Sequence, residues 1–488
     1  MISRTLVAFL LVSILTSSAT AQNADEAQPP AVFPPLTTPQ QAAKQSLIDS
    51  IDVSPAAQRP NIVLIFADDL GYADIGCFGS TEIPTPHIDA LVSSGMKFTN
   101  AYVTAATCSP SRAGLLTGQY QHRFGFEFNT NSRVVEQLGR GLDPAAVTMA
   151  DILSKAGYQT GAVGKWHLGT REQFHPLNRG FGSFYGFLRG GHSYLPLGRQ
   201  LFGRQLLFRS FEPVSEDEYL TDAFAREAVD FVNGQSDDTP FFLYVPFNAV
   251  HTPLQATAKY RNRFSKVEDS KRRTIYAMTS AMDDAVGRIV EAIDAKGFSE
   301  NTLVIFFNDN GGPLYTGVQS NGPLRMGKLF LFEGGVRVPL VIKWPAAVEG
   351  GSVCDGIVSA LDMLPTFSGV AGVTLPSSLN TDGVNLQPWL TGQRTDSPSE
   401  TLFWRNGQNK AIRKGKWKMV EVPNHVWLFD LEEDIGERNN LAEEHPDVVR
   451  QLQREYRQWE ATIKEPAWPP KARHPQETID GVEYRVDV

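Results

Sequence analysis

The chain has 488 residues, of which 42% are hydrophobic and 20% are charged, and its formal net charge is −9. This is the composition of an ordinary globular protein, with enough residues for one large core and a smaller companion domain. The acidic balance argues against a nucleic-acid partner, because no excess of basic residues is present to neutralise phosphates. Any site that binds an anion must therefore be built locally.

The first 21 residues have the features of a secretory signal peptide. Arg4 supplies the positive start, residues 6–15 form an apolar core, and Ala19-Thr20-Ala21 is a cleavage site of small residues. The apolar core is too short to span a bilayer, which takes about 20 residues, and no other apolar run approaches that length. We therefore predict an exported protein, periplasmic or secreted, with no membrane span.

Ordered structure is predicted to begin after a tether. Residues 22–58 are rich in Pro, Ala and Gln, with one short helix expected near residues 41–51. Residues 61–66 are predicted to form a strand that is apolar after Asn61, of the kind that is buried inside a parallel sheet. This predicted strand is followed by Asp68 and Asp69.

From there on, strands and helices alternate along the chain. In order, the hydrophobic patterns predict helix 85–94, strand 98–103, helix 149–156, strand 158–163, helix 220–233, strand 241–245, helix 272–295, strand 302–307 and strand 338–343. Residues 171–215 are predicted to be an irregular, aromatic and glycine-rich connection. The alternation indicates an α/β fold with a large, mostly parallel central sheet flanked by helices, over residues 59–375.

The pattern changes after about residue 375. Short predicted strands separated by turns are followed by one amphipathic helix, at 401–404, 410–413, 417–420, 427–431 and 446–463 respectively. We predict a small C-terminal α+β domain, residues 376–488, with a short antiparallel sheet and a helix. Its length and composition suit a packing companion rather than a reaction centre.

The chain has three cysteines, Cys77, Cys108 and Cys354. An exported protein stabilised by disulfides would carry more. Cys77 and Cys354 could form one disulfide, or they could remain two separate buried thiols.

Cys108 opens the most distinctive stretch, Thr107–Gly118 with the sequence TCSPSRAGLLTG. Pro110 suits the first turn of a helix, and Ser109 is its predicted N-cap. Cys108 would then lie where the helix dipole favours negative charge, with Arg112 one turn further on along the same side. For a lone Cys, a buried residue at a helix start would be the better interpretation. A function for Cys108 therefore depends on the rest of the pattern.

Four predicted strands are followed by polar side chains, and ligands of open α/β sheets bind at the carboxyl ends of strands. These side chains are, in chain order, Asp68, Asp69, Lys165, His167, His251, Asp309 and Asn310. Each could be an ordinary turn or cap residue by itself. Their equivalent positions predict that they share one pocket with Cys108.

The residue types in this set suit an anionic ester bound beside a metal ion. Hard oxygen ligands, which favour Ca²⁺ or Mg²⁺ over zinc, are offered by Asp68, Asp69, Asp309 and Asn310. Positive charge is offered by Arg112, Lys165 and Lys328, and proton transfer near neutral pH by His167 and His251. A nucleophile, a metal ion and cations together describe a site for a tetrahedral oxyanion ester.

The pattern C-x-P-S-R followed by L-L-T-G resembles the signature of the sulfatase family, in which this cysteine is oxidised after translation to Cα-formylglycine. Further matches follow in the family's order over nearly the whole mature chain, at Asp68-Asp69, Gly164–His167, His251–Pro253, Asp309–Gly312 and Lys328–Arg337. Residues 251–337 are most similar to the arylsulfatase B (N-acetylgalactosamine-4-sulfatase) branch, and residues 415–418 and 428–431 are similar to the family's small domain. The resemblance implies the alkaline-phosphatase-like fold of that superfamily.

The resemblance also implies a nucleophile and its metal ion. As formylglycine, residue 108 hydrates to a gem-diol. One of its hydroxyls binds Ca²⁺, with Mg²⁺ as the second choice of ion, and is deprotonated with help from Asp309. This hydroxyl then attacks the sulfur. A gem-diol can later expel sulfate unaided, whereas a Ser or Cys ester would need water to attack it. The implied metal ligands are Asp68, Asp69, Cys108, Asp309 and Asn310.

The remaining implied roles concern the leaving group and the sulfate. By resemblance, His251 with Lys328 protonates the leaving alcohol, and His167 takes the proton from the second hydroxyl as sulfate is expelled. Arg112 and Lys165 hold the formylglycine and the sulfate.

One further polar residue usually completes the family's sulfate pocket. The candidate segment is Gly190–Ser193, where His192 and Ser193 both remain open. Substrate specificity is expected to depend on residues 171–215, on the loop at Tyr315–Arg325 and on the small domain.

The implied partners are a sulfated saccharide or an aryl sulfate as substrate and a formylglycine-generating maturation enzyme. Oligomeric state is left open. Three other functions are compatible with parts of the pattern: a phosphomonoester or phosphonate monoester hydrolase on the same fold, a non-catalytic binder of sulfated glycans, and a hydrolase that uses the raw Cys108 thiolate. The last would leave the conspicuous carboxylates unexplained.

Overall fold

A computed structural model describes residues 37–55, 59–130, 133–196, 206–470 and 476–487. The predicted signal peptide and the first part of the predicted tether, residues 22–36, lie outside these residues. The short helix expected in the tether is confirmed as Thr38–Asp49. None of the helices in the described ranges combines the length and apolar character needed to cross a membrane.

The described ranges contain eighteen strands. In chain order they are β1 (Asp52–Val53), β2 (Asn61–Ala67), β3 (Met96–Tyr102), β4 (Gln159–Lys165), β5 (Ser183–Phe187), β6 (Leu207–Arg209), β7 (Glu212–Val214), β8 (Phe241–Pro246), β9 (Thr302–Asn308), β10 (Leu340–Lys343), β11 (Ser352–Ser359), β12 (Val373–Thr374), β13 (Thr401–Asn406), β14 (Asn409–Lys414), β15 (Trp417–Val422), β16 (His425–Asp430), β17 (Gln476–Ile479) and β18 (Val482–Arg485).

Ten of these strands form the central sheet, in the order β11-β3-β10-β9-β2-β8-β4-β5-β6-β7. The middle strands β9, β2, β8, β4 and β5 are mutually parallel, whereas β10 runs antiparallel to both of its neighbours. β6 and β7 add an antiparallel hairpin at one edge. The predicted mostly parallel α/β sheet is therefore confirmed.

Helices cover both faces of this sheet. Those described are Thr38–Asp49, Pro86–Ser93, Cys108–Thr117, Arg133–Gln137, Met149–Lys155, Leu220–Asn233, Ala258–Arg261, Ser270–Ala295, Glu333–Val336, Met363–Val370, Gln387–Leu390 and Pro446–Glu460. Because successive side chains of a strand point to opposite faces, β2 contributes Ile62 and Leu64 to one apolar core and Val63 and Ile65 to the other. Both faces are buried, which explains why every residue of β2 after Asn61 is apolar.

Within residues 171–215, of which 197–205 lie outside the described residues, the structure is less irregular than predicted, because it contains β5 and the β6–β7 hairpin. The glycines that suggested a loop allow close approach of backbones instead. A Cβ on Gly186 would lie 1.9 Å from the carbonyl oxygen of Gly164, and a Cβ on Gly164 would lie 2.0 Å from that of Pro246. Glycine inside a strand often marks such an approach.

The small domain is a four-stranded antiparallel sheet, β13-β14-β15-β16, and confirms the predicted short antiparallel sheet with one helix. Its helix ends at Glu460, earlier than predicted, and packs Leu452, Tyr456 and Trp459 against one face of the sheet. The other face packs on the large domain through Trp404, Trp427 and Phe429, among others.

Cys77 and Cys354 are separate thiols. Cys77 packs against one apolar core of the central sheet and Cys354 against the other. Of the two alternatives left open by the sequence, the structure therefore has the one without a disulfide.

His122, buried between the two domains, should make stability depend on pH. Its Nε2 lies 3.1 Å from the carbonyl oxygen of Arg405, and burial, then the Arg405 charge, lowers its pKa to about 3. In the unfolded chain the His122 side chain takes up a proton near pH 6.5, whereas in the folded chain it stays neutral at that pH. The free energy of unfolding is therefore highest above pH 6.5 and decreases as the pH falls below it. When the pH is lowered from 7.5 to 5, we expect the unfolding free energy of His122→Gln to fall by about 2 kcal/mol less than that of the wild type.

Urea unfolding at the two pH values measures this difference. The same substitution at half-buried His445 is the control. An unchanged pH dependence in His122→Gln would mean that His122 accepts a proton while folded.

Candidate active site

Cys108 is the first residue of a helix whose ten residues are all buried. The N-cap position belongs to Thr107, so the prediction of Ser109 as N-cap was wrong. Pro110 is tolerated in the first turn because amide groups there have no partner within the helix. Ser109 instead donates its backbone N–H to the Asn129 side chain at 3.0 Å and its hydroxyl to the His167 carbonyl at 2.5 Å.

The Cys108 sulfur lies among charged side chains. Its Sγ is 3.5 Å from Asp68 Oδ1, 3.8 Å from Asp69 Oδ1 and 3.3 Å from Lys328 Nζ. Burial, and then the charge of Asp309, raises the pKa of the thiol well above its usual value. An unmodified Cys108 would therefore be a neutral thiol and a poor nucleophile, which argues against a hydrolase that uses the raw thiolate.

The acidic residues meet because their strands are neighbours. β2 and β9 run side by side in parallel register, so the residues after them emerge together. Asp69 donates its N–H to Asp309 Oδ1 at 3.2 Å, and Asn310 Nδ2 donates to Asp69 Oδ1 at 2.8 Å. Asp68 and Asp69 therefore lie beside the Cys108 sulfur, and Asp309 and Asn310 contact Asp69.

Each buried carboxylate is paired with a cation, and Asp68 contacts two, because Arg112 Nη2 also lies 3.8 Å from its Oδ2. Lys165 Nζ lies 2.6 Å from Asp68 Oδ2, and Lys328 Nζ lies 2.7 Å from Asp69. Arg112 donates to Asp309 Oδ2 at 2.8 Å and to the Lys165 carbonyl at 3.1 Å. These side chains are at most 6% exposed, and charges so buried persist only when paired.

The two neighbouring aspartates differ in acidity. Burial, and then the charge of Asp309, raises the pKa of Asp68 to about 7. Burial also acts to raise the pKa of Asp69, but nearby positive charge, above all that of Lys328, outweighs it and lowers the value below its usual range.

His251 and His167 flank the acidic cluster. His251 Nε2 is 3.6 Å from Asp69 Oδ2, and its Nδ1 contacts the Thr252 carbonyl at 2.6 Å. Burial lowers the pKa of His251 to about 3 and that of His167 well below its usual value. Neither ring nitrogen of His167 has a hydrogen-bond partner among the described residues, although the ring is buried. Both histidines are therefore neutral at pH 7.

The segment around residues 190–193 adjoins these histidines. A Cβ on Gly190 would lie 2.5 Å from His167 Nε2, so this close approach requires glycine. Ser193 Oγ donates to the Leu195 carbonyl at 3.0 Å and to Gln255 Oε1 at 2.9 Å, and His192 packs on the Phe187 ring. His192 as the additional sulfate-binding residue remains a prediction.

The cluster fits a hard divalent cation. Asp68, Asp69, Cys108 and His251 each offer a ligand atom within 4.8 Å of the others. Asn310 Oδ1 is buried without a hydrogen-bond partner among the described residues, and Asn310 Nδ2 faces Asp69. An amide has the same shape when turned over, so rotation would direct this oxygen into the acidic cluster. Carboxylate and amide oxygens are the ligands that Ca²⁺ and Mg²⁺ prefer.

Two supporting residues were missed by sequence reasoning. Asn308 Nδ2 donates to the carbonyls of Leu70 and Asn310, both at 2.7 Å, and so ties the two acidic loops together. Gln319 donates to the Asp69 carbonyl. Asn308 could have been noticed as the only amide in the run Thr302–Asn308, whereas nothing local marks Gln319.

Two family models match the chain: "Sulfatase" over residues 60–373, and "N-sulphoglucosamine sulphohydrolase, C-terminal" over residues 325–462. Human N-acetylgalactosamine-6-sulfatase is 34% identical over 395 residues, covering 77% of this chain and 73% of that protein. Human arylsulfatase A is 34% identical over 471 residues, covering 84% and 90%.

Solved structures give the same result. Ps i-CgsB, crystallised in complex with k-i-k-neocarrahexaose, superposes with a TM-score of 0.79 at 37% identity, covering 84% of this chain and 95% of that chain. The predicted arylsulfatase B branch stays a prediction. The chain belongs to the sulfatase family of the alkaline phosphatase superfamily, and it is a sulfuric ester hydrolase.

Proposed function

We propose that this protein is an exported sulfatase that removes sulfate from carbohydrates, using Ca²⁺ and a formylglycine made from Cys108. The convergence of Cys108, three carboxylates and three cations in one buried site is the observation that carries the proposal. Related proteins named as N-acetylgalactosamine-6-sulfatases, and a related structure that holds a neocarrahexaose, support a sugar substrate.

In this proposal the ion is held by Asp68, Asp69, Asp309, Asn310 and residue 108. When present, Ca²⁺ and formylglycine supply a Lewis acid and a hydrated aldehyde nucleophile. The three carboxylates and the cations Arg112, Lys165 and Lys328 balance in charge, so a divalent ion leaves the site net positive. An anionic sulfate ester is the complementary substrate.

In the proposed reaction Asp309 accepts a proton at residue 108. Its Oδ2 receives two hydrogen bonds from Arg112, at 3.1 and 2.8 Å, and its Oδ1 receives the Asp69 N–H, so the carboxylate is fixed in orientation. Lys165 and Lys328 supply fixed positive charge where negative charge develops on the sulfate oxygens. His167, neutral and buried, is available to accept the later proton.

His251 and Lys328 both contact Asp69 and serve the leaving group. His251 is neutral in the site without substrate, because burial lowers its pKa to about 3. A sulfate ester placed beside it would raise that pKa, since an adjacent anion favours the charged imidazole. Binding of the substrate thus favours the protonated form of His251, which then donates the proton to the leaving oxygen. Lys328 stabilises that oxygen.

His251→Ala should therefore slow poor leaving groups more than good ones. We expect kcat on a sulfated sugar to fall about 10²- to 10⁴-fold, and on nitrophenyl sulfate much less, because nitrophenolate leaves without a proton. Steady-state kinetics with both substrates measures the two losses. Equal losses would assign His251 to sulfate binding instead.

Tyr315 offers a surface for the sugar. It is 61% exposed, in the short 3₁₀ helix Leu314–Thr316 that follows Asn310. Aromatic faces bury apolar sugar surface, so we expect Tyr315→Ala to raise KM for a sulfated oligosaccharide about 10-fold and to leave nitrophenyl sulfate unchanged. Competition between the two substrates checks this, and an equal change for both would contradict it.

A desulfation screen tests the proposed function as a whole. It uses sulfated saccharides, with nitrophenyl sulfate and nitrophenyl phosphate in parallel, and enzyme whose residue 108 has been analysed by mass spectrometry. Preference for phosphate would favour the phosphomonoesterase alternative. Binding without turnover by fully converted enzyme would favour the glycan binder. Sequencing of the mature N-terminus tests export, with cleavage expected after Ala21.

A further inference from the structure

The segment that carries Lys328, residues 325–335, is packed between the active site and the small domain. On the active-site side, Lys328 donates its N–H to the Gly312 carbonyl at 3.2 Å and its ammonium contacts Asp69. Gly311 donates its N–H to the Gly335 carbonyl at 3.1 Å, and a Cβ on Gly311 would lie 1.7 Å from the Gly334 oxygen. Movement of this segment would therefore displace Lys328 relative to the acidic cluster.

Glu333 fixes the other side of the segment. Its carboxylate is fully buried and accepts hydrogen bonds from Lys418 Nζ at 2.7 Å and from the Tyr102 hydroxyl at 2.6 Å. Arg337 adds a contact at 3.3 Å, and the Glu333 N–H donates to the Glu437 carboxylate at 2.7 Å. Lys418 and Glu437 belong to the small domain, and Lys418 is itself fully buried.

Further contacts with the small domain surround this ion pair. Phe332 packs on Trp427 with ring centres 5.5 Å apart, and Leu331 donates its N–H to the Tyr484 hydroxyl at 3.2 Å. Arg325 donates to the Glu437 carbonyl at 2.6 Å. The small domain thus contacts the segment on both sides of Lys328 in sequence.

We propose that Lys418 and Glu333 are positioning residues for Lys328, so that the small domain sets the place of an active-site cation. This inference rests on the proposed role of Lys328 at the leaving group. Removal of either partner leaves the other buried charge with only its longer contact, Arg337 at 3.3 Å for Glu333 or Glu437 at 3.5 Å for Lys418. A protein relieves such a poorly paired buried charge by moving the segment or admitting water. A displacement of about 1 Å in a group that acts on the transition state can cost about 10²-fold in rate.

The test compares Lys418→Met and Glu333→Gln with Lys328→Ala. The control is Arg405→Met, which breaks another buried pair between the domains, Arg405–Glu127 at 2.6 Å. We expect Lys418→Met and Glu333→Gln to lower kcat/KM about 10- to 100-fold. In Lys328→Ala, kcat/KM should depend more strongly on the pKa of the leaving alcohol than in the wild type, and the other two variants should show the same stronger dependence. Arg405→Met should lose stability but keep the wild-type dependence.

The double variant Lys328→Ala/Lys418→Met separates positioning from general damage. If Lys418 acts through Lys328, its removal should cost less than about 2-fold once Lys328 is absent. If the double variant loses the product of the two single-variant factors in kcat/KM, the inference is overturned. Wild-type rates in folded Lys418→Met and Glu333→Gln would overturn it as well. Glu333→Gln keeps the side-chain shape, so it carries the test if Lys418→Met does not fold.

A wild-type rate for Lys328→Ala would overturn the inference together with the role of Lys328. The rest of the proposed function would stand in that case, because it depends on Cys108 and the acidic cluster.

Discussion

Cys108→Ser, produced without a maturation enzyme that converts serine, is expected to lose at least about 10⁴-fold in kcat while it keeps the fold. The nucleophile in the proposed reaction is made from the thiol. A serine ester formed at the same position would need water to attack it, whereas the hydrated aldehyde expels sulfate unaided. The fold should survive because a hydroxyl is smaller than a thiol and the surrounding helix is fixed by other contacts, such as Ser109 to Asn129. Circular dichroism and thermal unfolding establish folding, and turnover of nitrophenyl sulfate gives the rate.

Cys354→Ser is the matched control, because Cys354 is also a free thiol but packs at the edge strand β11. It should retain wild-type turnover. In wild-type preparations, activity should scale with the fraction of residue 108 that mass spectrometry finds converted. Wild-type turnover by Cys108→Ser, or full activity without conversion, would refute the assigned nucleophile.

Strands at the centre of the fold were predictable because burial on both faces makes them apolar except at their end residues. Runs such as Asn61–Ala67 and Thr302–Asn308 carry that signal in their own residues. β11 was not predicted, because Asp355-Gly356 interrupts it at a register shift and the strand lies at the edge of the sheet. β5 was not predicted, because Gly186, which allows the close approach of the Gly164 backbone, suggested a loop.

The site could be predicted as a set of residues but not as a set of contacts. Parallel strands bring their carboxyl ends to one edge, so residues such as Asp68 and Asp309 had to meet. Which cation pairs with which carboxylate depends on side-chain reach across the sheet, and sequence spacing does not contain that information. For example, 97 positions separate Lys165 from Asp68 in the chain.

The small domain illustrates the same limit. Its length and composition predicted a packing companion of the large domain. The structure adds that Lys418 reaches Glu333 in the segment that carries Lys328. A buried lysine in a strand has no local pattern that names its partner, since the pairing exists only after both domains have folded.

Asp69→Asn is expected to abolish the stabilisation of the protein by Ca²⁺. Asp69 lies between Asn310, Lys328 and His251, and its low pKa keeps it ionised, so it contributes a full negative charge to the proposed ion site. For a dissociation constant of about 10 µM, 1 mM Ca²⁺ should raise the unfolding free energy of the wild type by about 2.7 kcal/mol. The variant should show no such increase, because asparagine removes the charge and offers only one ligand oxygen.

Urea unfolding in 1 mM CaCl₂ and in EDTA measures the effect. Asp284→Asn is the matched control. Among the described residues, Asp284 forms with His87 and Asp283 another group of side chains that could hold an ion. Asp284 pairs with Arg263 at 2.7 Å, so we expect its variant to keep the full Ca²⁺ response. A Ca²⁺ response that survives in Asp69→Asn and disappears in Asp284→Asn would move the ion to the second group, and the charge balance proposed for the sulfate site would then be wrong.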